Sequence, residues 1–218
     1  MTKKRLDTEV RREQILEVVM DLLSNKGMKG LSLSAVARRV GFVPSALYRH
    51  FSSKDEVVDA LLSHIEASLL NNVVAVRAET AHPLEAIELL LRRHVRLIRE
   101  NRGIPRVIFS EEVYGGDPRR RARVYRMLQQ YLGGVGSLFL EAQQAGMVRS
   151  DLAPNELAVM FLGLIQPAAI LWHLSDGGFD VTRQAERAWR VFSETIRNNC
   201  VTASETERAI RATEEAKA

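Results

Sequence analysis

Cysteine is almost absent from this chain. Cys200 is its single thiol, so no intrachain disulfide can form and nothing points to an oxidising compartment; a cytoplasmic protein is expected. Proline and glycine are scarce, 6 and 13 in 218 residues, which leaves long helices free to form. The five histidines are scattered at positions 50, 64, 82, 94 and 173, with neither an HExxH spacing nor a His–Cys cluster, so no metal and no cofactor are expected. A nucleophile beside a base, a spaced pair of acids and a phosphate loop are missing too, and the neighbours Glu111 and Glu112 fall on different helix faces. Catalysis is not expected. The basic N-terminal stretch runs into an amphipathic segment rather than the apolar core of a secretory signal. Residues 157–174, LAVMFLGLIQPAAILWHL, could imitate a membrane span, but they sit at the short end of the roughly 17–25 residues required and are interrupted by Gln166, Pro167 and His173. They read as a helix buried in protein, and no membrane partner is expected.

Charge, by contrast, is plentiful and unevenly placed. Residues 1–54 hold 11 Lys or Arg against 5 Asp or Glu, whereas residues 55–218 hold 20 against 22. A positive head on a near-neutral body is the pattern of a polyanion-binding module attached to something else. Apolar positions follow helical spacing throughout. Ile15, Val18, Val19, Leu22 and Leu23 form one stripe, stopped by Gly27, and Leu33, Val36, Ala37 and Val40 form a second, capped by Ser32 and ended by Gly41. Pro44 suits the first position of a third helix through SALYRHF. Ser53 and Glu56 have the spacing of a capping box for a fourth, carrying Val57, Val58, Leu61, Leu62, Ile65 and Leu69. Pro83 opens a fifth, and further helices are expected around 105–114, 118–145, 154–174 and 182–199. No strand or hairpin pattern intervenes.

Two short helices joined at a glycine turn are the sequence form of a helix-turn-helix, whose second helix enters the major groove of DNA. Leu47 and Phe51 can bury with the second-helix stripe, leaving Ser45, Ala46, Tyr48, Arg49 and His50 to project. Those groups suit DNA. Arginine donates two parallel bonds to guanine, serine serves either way, an alanine methyl packs on thymine, and tyrosine reaches phosphate. Lys54 adds a cation where the N–H groups of a helix start already favour an anion. At LSLSAVARRVGFVPSALYRHFSSKDEVV, within residues 9–60, the chain resembles the TetR family of bacterial one-component transcriptional regulators. The resemblance implies that Gly41, Leu47 and Phe51 hold the motif together and that Ser32, Ser45, Ala46, Tyr48, Arg49, His50 and Lys54 belong to the DNA-binding surface. Val43 stands where the family often has a capping hydroxyl, and Ala46 replaces a commoner hydroxyl residue.

The fold class expected is therefore all-α: a three-helix DNA-binding domain over residues 1–56, a helical effector-binding and dimerisation domain over 57–201, and a polar tail over 202–218. The resemblance implies a ligand cavity and a two-helix dimer face in the second domain. Candidates for the cavity are His94, Phe109, Tyr125, Phe161, Gln166 and Trp172, and for the dimer face Leu164, Ala168, Leu171, Trp189, Phe192 and Ile196. Pro167 should kink its helix and help open a cavity. Gly133, Gly134 and Gly136, inside a helical run, call for close helix approach or ligand room. The Arg119–Arg121 run reads as a solvated face. The function expected is a homodimeric repressor that leaves a palindromic operator in double-stranded DNA when a small lipophilic effector binds. A DNA-binding architectural or cell-cycle protein without an effector is the alternative, and an enzyme or small-molecule carrier a more distant one.

Overall fold

A computed structural model describes residues 3–198, with side chains from residue 9 onward; the expected polar tail lies outside the described residues, as does Cys200. Among the described residues there is no strand, only one isolated bridge between Val148 and Arg197. Helix α1 spans Lys3–Lys26 and buries Ile15, Leu16, Val19, Met20, Leu22 and Leu23. It stops at Gly27, whose φ of 64° an L side chain rarely adopts, and a 3-10 turn follows over Met28–Gly30. Helix α2, Leu33–Val40, begins where the Ser32 hydroxyl accepts from the Ala35 N–H at 3.2 Å and ends at Gly41 in the left-handed region.

Helix α3 covers only Pro44–Leu47, shorter than the expected run through Phe51. The Arg49 and His50 N–H groups bond carbonyls three residues back, tightening the chain. The His50 carbonyl, which could have extended the ladder, accepts instead from the Arg12 guanidinium on α1. Helix α4, Lys54–Glu79, starts at the predicted cap. Ser53 Oγ accepts from the Glu56 N–H at 3.1 Å, and the Glu56 carboxylate turns back to the Ser52 N–H at 2.7 Å, one residue earlier than the standard box, and to Arg12.

The body is built from α4, α5 (Pro83–Glu100), α6 (Gly103–Ile108), α7 (Pro118–Gln144), α8 (Pro154–Leu174) and α9 (Val181–Ile196). The segment expected as one helix over 105–114 is divided, because α6 ends at Ile108 and a π-helical turn occupies Glu112–Gly116. Gly134 lets α7 meet α4: a Cβ there would lie 2.9 Å from Val73 Cγ1. Gly136 does the same for Asn155 on the first turn of α8. Arg120 departs from the expected solvated face. It is buried, pairing with Asp55 at 2.9 Å and Asp59 at 2.7 Å, so it pins α7 to the start of α4. Helix α8 is continuous through Pro167 and is long and apolar enough to cross a membrane, yet 39% of that stretch is buried. The expectation of a helix enclosed in protein therefore holds for one face only. Leu157, Ala158, Phe161, Ile165, Ala168, Ala169 and Trp172 face inward, while Met160, Leu171 and Leu174 face out.

Candidate nucleic-acid interface and body cavity

The short α3 is held from beneath by Leu47 and Phe51, both fully buried. Two anchors four residues apart fix which way the intervening side chains point. Ser45, Tyr48 and Arg49 are exposed and Ala46 is half-buried, and among the described residues Arg49 has no ion pair. His50 is placed differently. Its ring stacks on Phe42 with centroids 6.4 Å apart, and its Nδ1 is buried without a partner. Burial first, then the nearby Arg12, Arg11 and Arg49 charges, holds its pKa below the ordinary histidine value. The imidazole is thus neutral at pH 7 and packed into the head. Ser32 is exposed, with its oxygen committed to the α2 cap.

Lys54 does not project as the sequence suggested. Its Nζ donates to the Met28 carbonyl at 3.0 Å and to Glu112 Oε1 at 2.9 Å. Burial, the largest single influence, would raise the Glu112 carboxyl, but the Lys54 hydrogen bond and charge, together with hydrogen bonds from its own backbone and from Ser110, outweigh it and the pKa falls below the usual carboxylate value. The lysine therefore ties three pieces together: the turn after α1, the start of α4 and the π-helical turn of the body.

Behind this joint lies a cavity of about 380 Å³ bounded by α4, α5, α6, α7 and α8, within the range of small-molecule sites. Ile65 and Leu69 of α4, Met127 of α7 and Ile170 of α8 give it an apolar wall. One polar pair interrupts that wall. His94 Nδ1 and the Tyr131 hydroxyl are 2.8 Å apart, both fully desolvated, with the rings edge to face at 5.3 Å. Burial drives the His94 pKa down to about 4 and raises that of Tyr131, so both are neutral at pH 7 and satisfy one another.

Of the cavity residues expected from sequence, His94, Phe109 and Gln166 line it. The other three do not. Tyr125 is 63% exposed on the outside of α7, because it falls between the buried Val124 and Met127 positions. Phe161 packs in the core against Phe139, centroids 6.5 Å apart. Trp172 is buried beneath the Arg102 guanidinium, 5.0 Å from its ring, beside a separate cleft between α5 and α9. Arg106, Tyr131 and His173 line the cavity without having been anticipated; helix periodicity alone could have offered Tyr131, four residues beyond Met127. Of the expected dimer residues, Leu164 and Leu171 lie toward the outside of α8, whereas Ala168, Trp189, Phe192 and Ile196 turn into the chain's own core. The outer surface between α8 and α9 is a groove lined by Met160, Leu164, Ala188 and Val191, and the largely buried Phe192 and Ile196 form its floor.

A cationic head with a short projecting helix, joined by one long helix to a hollow all-helical body, defines a one-component DNA-binding regulator. Residues 15–61 match the family model of the bacterial regulatory proteins of the tetR family, and residues 64–195 that of the YsiA-like protein C-terminal region. The chain belongs to the TetR family and is a DNA-binding transcriptional regulator. The nucleoid occlusion factor SlmA of Vibrio cholerae is 25% identical over 188 residues, covering 86% of this chain and 96% of that protein. Among solved structures, a TetR/AcrR-family transcriptional regulator from Thermobifida fusca superposes with a TM-score of 0.63 at 27% identity, over 84% of this chain and 96% of that one. FadR from Bacillus subtilis, solved in complex with stearoyl-CoA, gives a TM-score of 0.71 at 17% identity, over 84% and 98%, a likeness of fold alone.

Proposed function

We propose that the protein is a cytoplasmic, homodimeric repressor that grips a palindromic operator and releases it when an apolar small molecule fills the body cavity. One observation carries the reading. Helix α4 is capped in the head at Ser53 and, three turns later, contributes Ile65 and Leu69 to the cavity wall. A ligand that displaces those side chains acts on a rod whose other end sets the angle of α3.

In this reading Ser45, Ala46, Tyr48 and Arg49 meet base edges and phosphates, with the heads of two protomers about one helical turn of DNA apart or a multiple of it. His50 supports α3 from inside, and Lys54 serves the joint. The second copy docks on the outer apolar face of α8 and α9, burying Met160, Leu171 and Val191, which are about half exposed or more in the single chain. A ligand favours release only by its differential affinity for the two head spacings. The stearoyl-CoA held by the Bacillus subtilis fold relative makes acyl chains the first compounds to try.

The test is to recover operator fragments by genomic selection with the purified protein and titrate the complex with apolar ligands identified by native mass spectrometry. Release at stoichiometric ligand is the expected result; indifference of the complex to every ligand that enters the cavity rejects the induction step. A second reading, a DNA binder without an effector, is favoured by the similarity to nucleoid occlusion factors, and it predicts that indifference.

A further inference from the structure

The cavity has an electrical asymmetry that its apolar character conceals. No aspartate or glutamate lines it, the His94–Tyr131 pair is neutral, and its one permanently charged lining residue is Arg106 on α6. Among the described residues Arg106 makes no ion pair, and its Nε is buried without a hydrogen-bond partner. Three arginines that join the body's long helices are answered by acids, Arg77 by Glu141, Arg120 by Asp55 and Asp59, and Arg123 by Glu66; Arg96, Arg102 and Arg126 share the lack of an acid among the described residues but do not line the cavity. A half-buried guanidinium with an unmet donor, in a chamber without carboxylates, is complementary to an anion. Arg106 also touches the head. Its Nη1 lies 3.3 Å from where a Cβ on Gly27 would stand, so the side chain spans the cavity wall and the turn that ends α1.

We propose that Arg106 is the anion-binding residue of the cavity: the ligand is an apolar chain ending in an anion, seated with its chain against Ile65, Leu69, Met127 and Ile170 and its head on the Arg106 guanidinium, which shifts from the Gly27 turn to meet it. This rests on the reading of the cavity as an effector site and adds the ligand's charge and the residue that senses it. The volume of about 380 Å³ lies toward the lower end of the range for small-molecule sites, which suits a single medium-length chain. The sensing step follows from position. The turn after α1 is held on one side by Lys54, through the Met28 carbonyl, and packed on the other by Arg106; drawing Arg106 into the cavity unpacks that side.

The experiment is calorimetric titration of the full chain with decanoate, decyl phosphate, decan-1-ol and decyltrimethylammonium, in the wild type and in Arg106→Gln and Arg106→Lys. The wild type should hold the two anions about 10- to 100-fold more tightly than the alcohol and bind the cation most weakly. The ranking of carboxylate against phosphate identifies the preferred head group. Arg106→Gln should bind anions and alcohol equally, and Arg106→Lys should regain part of the preference. Alcohol bound as tightly as the acids by the wild type, or an anion preference that survives Arg106→Gln, overturns the proposal while leaving the effector site standing. No binding of any of the four to the wild type overturns both. Hydrogen exchange reads the second step: decanoate, but not decanol, should speed exchange in residues 27–31, and equal protection with both ligands removes the relay to the head.

Discussion

The head and the body solve opposite problems with the same helical material. In the head, exposed side chains stand outward from a four-residue helix and the turn after it, over a pair of buried anchors, Leu47 and Phe51. In the body, one polar pair, His94 and Tyr131, points inward and is matched to itself, while apolar side chains form a hollow. A duplex is large, rigid and already hydrated, so a protein reads it by presenting a fixed row of donors on a small support. A small apolar molecule has to be enclosed, and that takes five helices. Helix α4 belongs to both arrangements, which is why the head can be small without being independent.

Removing equivalent aromatic support from each side should show the contrast most strongly. Phe51 and Phe161 are both fully buried, and each change to alanine should cost about 3–5 kcal/mol in urea denaturation. Under conditions where both variants remain folded, only Phe51→Ala should lose DNA binding, because only Phe51 fixes the orientation of α3. Equal loss from Phe161→Ala would mean that the body's core, not the local anchor, sets the reading helix.

The next effect centres on the body. His94 is depressed to about 4 in the folded chain against about 6.5 unfolded. The unfolded state therefore binds the extra proton first, and stability present above pH 6.5 is lost as pH falls toward 4, by about 3 kcal/mol in all. Urea midpoints measured from pH 7.5 to 4.5 should fall along that window, and His94→Gln should flatten the curve.

How far the sequence reached follows the same division. Cap serines, Gly27, Gly41 and Pro44 are local signals, since each acts on backbone groups within a few residues, and helices α1, α2 and α4 begin or end where those signals put them. Ser45 projects from α3 itself, and Tyr48 and Arg49 from the tightened turn between the two anchors. The cavity is not local. Whether an aromatic residue lines it depends on how α5, α7 and α8 rotate against one another, and residues with equal hydrophobicity on α7 and α8 went to solvent (Tyr125), core (Phe161) and a different cleft (Trp172). Arg120 and Lys54 show the limit most plainly. Each has a charge that single-sequence reading assigns to water or phosphate, and each is claimed by an acid 50 or more residues away in the chain, Asp59 and Glu112.

Arg49→Ala should produce a smaller and one-sided effect: a loss of about 1–3 kcal/mol in operator affinity with folding stability unchanged within about 0.5 kcal/mol, because the side chain is exposed and unpaired. Fluorescence anisotropy on a selected operator gives the first number and chemical denaturation the second. A stability change as large as the affinity change would place Arg49 among the supports rather than the readers.

The smallest effect tests the joint where the two regions meet. If Lys54 contacted a phosphate, Lys54→Met would flatten the dependence of log affinity on log salt by about one phosphate contact. In the structure its ammonium is already bonded to Met28 and Glu112, and a partly exposed pair of this kind contributes about 1 kcal/mol or less. The salt slope should therefore stay as in the wild type, stability should fall by at most that amount, and the main consequence should be a change in how strongly ligand binding alters DNA affinity. Glu112→Gln should act in the same direction, since it breaks the same bridge from the body side, and the double variant should add little to either single one. Additive losses, or a flatter salt slope in Lys54→Met alone, would return Lys54 to the DNA surface and leave α4 and the Arg106 side chain at the Gly27 turn as the connections between head and cavity.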